Sequence, residues 1–209
     1  MRRVLAIGAH FDDVELGCGG ALLAWRERGD AIALFVATSS GYRDPAGNSI
    51  RTNDEARSEG VAAAALLGAE LFEGGLPTFE VMSDERLHAP LIAALAQYQP
   101  DVVLTHWVGD PHHDHRQVAL ATLHGARRIP RLLAYRSNWE PAAQSFDPRF
   151  FVDIEATLER KLELVRMHAS EFGRTGGRWE AQVRASAGEA GARAGCTAAE
   201  AFEVIRWRD

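Results

Sequence analysis

The sequence predicts an α/β fold, a three-layer sandwich built around a mostly parallel sheet. Short apolar runs of strand length, at residues 4–9, Ala31–Thr38, 101–106 and Arg131–Tyr135, are separated by stretches whose apolar residues recur at helical spacing. The first run, Val4-Leu5-Ala6-Ile7-Gly8-Ala9, shows no polar alternation, as befits a strand covered on both faces. At 209 residues and 46% hydrophobic content the chain is long enough for one well-buried core and short for two, so one domain over residues 1–209 is expected.

The elements follow in order. Residues 4–9 form the first strand. A helix is expected to start near Leu16, after a tight turn served by Gly17, Gly19 and Gly20. Residues 21–28 continue it as an amphipathic segment, with Leu22, Leu23 and Trp25 opposite Arg26, Glu27 and Arg28, until Gly29 stops it. After the strand Ala31–Thr38, residues 39–53 make a polar loop of a length that often carries function. Residues 54–67 read as a helix ended by Gly68, residues 70–72 as a short strand, and 74–79 as a loop. Glu85–Tyr98 is a helix closed by Pro100, 101–106 the fourth strand, 116–128 a helix and Arg131–Tyr135 the fifth strand. Residues 136–151 are loop-like, 152–154 an edge strand and 155–172 an amphipathic helix. Beyond Gly173 the pattern weakens; 179–187 is helical in spacing and 202–207 alternates like a strand.

Two motifs carry the chemistry, and each follows a strand. His10-Phe11-Asp12-Asp13 opens from the first strand, and placing one imidazole and two carboxylates there is costly unless they have something to bind. His10 and Asp13, three residues apart on a turn entering a helix, can reach one point, which leaves Asp12 for proton transfer. The competing reading is that Asp12 or Asp13 only caps the helix. The second motif, Asp110-Pro111-His112-His113-Asp114-His115, collects three imidazoles and two carboxylates behind the fourth strand. Functional loops of open α/β sheets gather at the carboxyl ends of strands flanking the switch in strand order. The first and fourth strands are therefore expected side by side, with the active site at their carboxyl ends.

His10, Asp13 and His115 make the two-histidine, one-carboxylate set that zinc hydrolases use with a fourth position open, so Zn2+ is the expected cofactor. Asp12 would take the proton of a metal-bound water as general base, and His112 would stabilise the oxyanion or protonate the leaving amine. Asp114 suits the task of holding His112 in one tautomer, with Arg136 supporting Asp114 and serving the substrate. Trp139 is expected to wall the pocket, unless it only pins its loop to the core. His113 is a competing ligand expected to point away, and His88, His124 and His168 read as structural.

These residues resemble a known family. His-x-Asp-Asp with Glu15-Leu16-Gly17-x-Gly19-Gly20 behind it, then His112-x-Asp114-His115, is similar to the zinc-dependent de-N-acetylases called LmbE-like or PIG-L-like. That family includes the N-acetylglucosaminyl-phosphatidylinositol, mycothiol-pathway and bacillithiol-pathway deacetylases. The likeness extends over residues 51–68, Asn138-Trp139-Glu140-Pro141 and Ala199-Glu200-Ala201-Phe202. It implies a Rossmann-like fold and hydrolysis of the acetamide of a 2-acetamido sugar or an N-acetylglucosamine-type conjugate. It also gives His112 the role above, sets Arg51 to hold the substrate and the catalytic carboxylate, and implies a homo-oligomer, trimer or hexamer. The chain departs from the family where Phe11 and His113 replace prolines, and where Thr78, with Glu80 beyond it, replaces an aspartate that contacts a sugar hydroxyl.

A formal charge of -6, with no basic stripe, argues against nucleic acid as partner. Cys18 and Cys196 are too far apart in sequence to indicate a disulfide framework or zinc knuckle, which fits a reducing cytoplasm; Cys18 reads as a small residue packed at a helix start. No apolar stretch approaches the ~20 residues of a membrane span, and the apolar run behind Met1-Arg2-Arg3 is short for a signal peptide. Two other classes compete. A non-haem iron(II) oxygenase uses the same triad, though on jelly-roll strands. A Rossmann-like nucleotide-binding module would use Gly17-Cys18-Gly19-Gly20 as phosphate loop, but the spacing is wrong and the carboxylates would repel phosphate.

Overall fold

The structure, a computed structural model, describes residues 1–208. Strand β1 (Arg3–Gly8) lies near the middle of the sheet, and its side chains alternate between two cores. Val4 and Ala6 face one core, while Leu5 and Ile7 face the other. Helix α1 (Asp13–Glu27) leads to β2 (Ala31–Thr38), which pairs parallel with β1. The polar loop that follows folds into a hairpin of β3 (Tyr42–Arg43) and β4 (Ser49–Arg51). Helix α2 (Asn53–Leu67) starts with a capping box between Thr52 and Glu55 and ends at Gly68 in the left-handed conformation.

Next come β5 (Glu70–Leu76), α3 (Glu85–Tyr98), β6 (Val102–His106), α4 (His113–Gly125) and β7 (Arg131–Tyr135). The remainder comprises β8 (Phe150–Asp153), a 3-10 turn (Glu155–Thr157), α5 (Leu158–Met167), α6 (Ala169–Arg174), α7 (Arg178–Ala194) and β9 (Ala199–Trp207). The seven-stranded sheet runs β5-β2-β1-β6-β7-β9-β8, parallel from β5 to β7, with β9 antiparallel to both its neighbours. Residues of α1, α2, α5 and α7 cover one face, and residues of α3 and α4 cover the other, which gives the expected three layers. Val4 pairs with Val102, so β1 and β6 are adjacent and the order reverses between them.

Several local expectations are corrected. Helix α1 starts at Asp13, not near Leu16, and Gly17, Gly19 and Gly20 lie buried inside it, so they form neither a turn nor a phosphate loop. Gly17 and Gly20 serve close approach. A Cβ on Gly17 would stand 2.1 Å from Tyr135 Cδ2, and one on Gly20 would stand 2.9 Å from Ile154 Cδ1. The helix is buried on all sides as far as Trp25 because sheet, α5 and β9 surround it. Helix α4 starts at His113, three residues earlier than expected, and so holds Asp114 and His115 in its first turn. The helix expected over 155–172 breaks at His168, and α7 and β9 are longer than their patterns indicate.

The middle of α1 also finds partners outside itself. Lys161 Nζ donates to Leu16 O (2.7 Å), Gly20 N and Ala21 N donate to the Glu200 carboxylate (2.9 and 2.7 Å), and Thr157 Oγ1 donates to Gly20 O (2.9 Å). A buried Lys161–Glu200 ion pair thus stands against the hydrogen-bond ladder of the helix that carries Asp13. No helix among the described residues is long and apolar enough to cross a membrane.

Candidate active site

The loops after β1 and β6 meet in the crevice at the strand switch, in a cavity of about 680 Å³. Two imidazole nitrogens and the two oxygens of one carboxylate converge there. His10 Nδ1 lies 3.2 Å from Asp13 Oδ2, His115 Nε2 lies 3.1 Å from Asp13 Oδ1, and the two imidazole nitrogens are 3.3 Å apart. Donors held at 2.0–2.1 Å by one tetrahedral zinc stand about 3.3 Å from each other, so the set has the dimensions of a metal site.

The groups behind these donors fix their orientation. His10 Nε2–H donates to Asp114 Oδ2 (3.0 Å), which leaves Nδ1 as the inward lone pair. Asp110 Oδ2 lies 3.2 Å from His115 Nδ1, which leaves Nε2 inward in the same way. Asp13 Oδ2 accepts from Ala9 N (3.1 Å) and His10 N (2.7 Å), and Asp13 Oδ1 accepts from Ser137 Oγ (2.8 Å). Burial alone would lower both histidines, but the surrounding carboxylates raise His10 to about 9 and His115 to about 10. Asp13 is pushed well below the carboxylate range because His115 and His106 outweigh its burial. The cluster is a buried anionic cradle that attracts positive charge, and its donors fit a divalent cation.

A second grouping of possible ligands, Asp13, His106 and His115, is also present. His106 is fully buried, stacked on His115 with ring centroids 4.0 Å apart, and its Nε2 already accepts from Ala9 N (3.0 Å). It supports the ligands as a packed plate. His112 joins His10 and His115 in the third grouping; its ring is 4.4 Å from that of His115, and burial beside the two raised histidines lowers it to about 4.

Asp12 is held apart from the donors by its backbone. At φ 138° it occupies a conformation that side chains rarely adopt, and such strain persists where a site requires it. Burial and the adjacent Asp13 raise its carboxyl to about 7. Arg51 is buried beside it, with Nη1 3.5 Å from Asp12 Oδ2; it also donates to Phe11 O (3.0 Å) and Glu59 Oε2 (2.7 Å).

Two expected contacts are not made. Asp114 does not hold His112, because the first turn of α4 aims its Oδ2 at His10 Nε2 and Phe79 N. Arg136 does not reach Asp114; it lies over Trp107, donates to Glu140 O (2.8 Å) and lines a neighbouring cavity of about 570 Å³. Past β7 the side chains keep alternating, so Ser137 rather than Arg136 turns towards Asp13. Trp139 lines both cavities while its Nε1 donates to Ser186 Oγ (2.6 Å), so it walls the pocket and pins its loop. His113 points away, to Val81 O (2.8 Å).

Sequence reasoning left Asp110, Ser137 and His106 without roles, and it missed Glu171, which accepts from Tyr42 Oη (2.7 Å) at the cavity wall. Only Asp110 offered a signal, its place in the His-rich loop.

The sequence and the fold have counterparts among known proteins. A family model described as PIG-L, GlcNAc-PI de-N-acetylase, matches residues 5–126. An Escherichia coli K12 protein named as an uncharacterized deacetylase, YaiS, is 34% identical over 80% of this chain and 90% of its own. Among solved structures, N,N'-diacetylchitobiose deacetylase from Pyrococcus horikoshii superposes with a TM-score of 0.83 at 22% identity, covering 98% of this chain and 84% of that one. The 4-carboxy-2-hydroxymuconate hydratase GalB from Pseudomonas putida KT2440 gives 0.80 at 21% identity, covering 100% and 98%. The fold is thus shared by deacetylases and a hydratase. The match over most of the chain, two motifs included, establishes that this protein belongs to the PIG-L de-N-acetylase family.

Proposed function

We propose that the protein is a metal-dependent amidohydrolase that removes the acetyl group from a 2-acetamido sugar or N-acetylglucosamine-type conjugate. The convergence of His10, Asp13 and His115, each oriented from behind, carries this reading. Family membership and the name of the chitobiose deacetylase support the sugar. These three residues would hold zinc, which when bound would supply an acidified water and polarise the acetamide carbonyl.

The protein's own residues do the rest. Asp12, raised to about 7, accepts the proton from the attacking water at its carboxylate. Arg51 holds that carboxylate in its strained position. His112, largely neutral at pH 7, offers an N–H to the oxygen that gains charge at the acyl carbon. Asp12, once protonated, then returns that proton to the nitrogen as the C–N bond breaks, giving acetate and a free amine. The oxygenase alternative lacks its usual scaffold, since His10 follows β1 and Asp13 and His115 lie in the first turns of α1 and α4, at the strand ends of a mostly parallel sheet and not on jelly-roll strands.

The test is mass spectrometry of products from a panel of acetamido sugars, run with zinc-loaded protein and with protein stripped by chelator. Acetate and amine in equal amounts, only when metal is present, are expected. Water addition to an unsaturated acid without acetate release from any acetamide would move the protein to the hydratase branch of the fold.

A further inference from the structure

Phe79 stands in the wall of the cavity in a way that folding does not explain. Its φ is +67°, in the left-handed region that a bulky residue enters only under strain and glycine enters freely. The backbone requirement is visible: Phe79 N donates to Asp114 Oδ2 (2.8 Å), the oxygen that also receives His10 Nε2–H. Any residue, and glycine most easily, would supply that N–H. The residue is 55% exposed. Its neighbours are Tyr42, in a T-shaped contact with centroids 5.7 Å apart, and His112, also at 5.7 Å.

An exposed aromatic residue therefore stands beside His112, its backbone N–H held by the carboxylate that orients His10. Thr78, before it, also lines the cavity, and its buried hydroxyl has no hydrogen-bond partner. Glu80 is exposed and does not line the cavity.

We propose that Phe79 is a specificity residue, an apolar platform on which the C–H face of the substrate's sugar ring packs. This rests on the acetamido-sugar reading above. A pyranose offers what the phenyl ring matches, an apolar C–H face.

Phe79→Gly removes the ring, relieves the backbone and keeps the N–H that Asp114 needs, so the variant should fold at least as well as the parent. With zinc-loaded protein, its KM for a 2-acetamido sugar should rise about tenfold while kcat changes little. Phe79→Tyr should restore KM, and KM for a small ringless acetamide should not move. An unchanged KM for the sugar, or an equal rise for the ringless acetamide, overturns the platform and leaves the deacetylase reading standing. If the parent protein releases no acetate from sugars, the deacetylase reading fails separately, and saturation-transfer NMR with N-acetylglucosamine then decides. Transfer to the ring C–H protons that is lost in Phe79→Gly sustains the platform; equal transfer, or none with the parent, refutes it.

Discussion

The Oδ2 atom of Asp110 lies 3.2 Å from Nδ1 of His115, and the same fully buried carboxylate accepts from His112 N (2.8 Å) and Asn138 Nδ2 (2.9 Å). One side chain thus orients an expected metal ligand and anchors the loop that carries His112. Asp110→Asn should weaken metal affinity by about 10–100-fold. Competition with a chromogenic chelator measures this, and unchanged affinity would mean that His115 needs no support from Asp110.

Asp12→Asn is isosteric and leaves His10, Asp13 and His115 untouched, so bound metal by elemental analysis should equal that of the parent. The amide cannot accept a proton, and kcat should fall by ~10²–10⁴-fold. A near-normal rate would assign the base to another group.

Lys161→Met leaves Glu200 buried with only the N–H groups of Gly20 and Ala21 for company. Removing one partner of a buried pair costs about 3–5 kcal/mol, and the two remaining donors hold the loss to the lower end. Urea denaturation reads this directly; a loss below about 1 kcal/mol would show that the pair contributes little to holding α1.

Asp30 provides the pH test. Burial pushes its carboxyl up, but hydrogen bonds from the Arg2 side chain and backbone outweigh this and hold it below the ordinary range. A depressed folded-state value means that its stabilisation is complete above the unfolded value, about 3.9, and is lost as pH falls through the folded one. The stability difference between parent and Asp30→Asn should therefore be constant at pH 5–7 and shrink below about pH 4. A difference that persists undiminished to the acid end would assign the effect to something other than this ionisation.

What the sequence displayed follows from how local each signal is. His10, Asp12 and Asp13 form one four-residue string with Phe11, and His112 to His115 another, each behind an apolar run, so the fold and the meeting of the two loops could be read together. Ser137 bonds to Asp13 across 124 positions, and Gly20 N to Glu200 across 180; a lone Ser or Glu carries no pattern that announces such a partner. The glycines of α1 were misread for the same reason. Gly17 and Gly20 answer to Tyr135 and Ile154, which arrive from the far half of the chain. Arg136 and Ser137 differ only in which way a strand end points, and that parity is invisible until the last residue of β7 is known.

The clamp of Glu200 on α1 bears on the order in which the protein is made. Ribosomal synthesis delivers His10, Asp13, His112 and His115 long before residue 200 emerges. During that interval the nascent chain carries every expected metal donor, while Gly20 N and Ala21 N still lack the carboxylate that receives them. A cation captured then would meet a helix whose middle is not yet held. Helix α1 gains these partners only when β9 takes its place between β7 and β8 and brings Glu200 to Lys161.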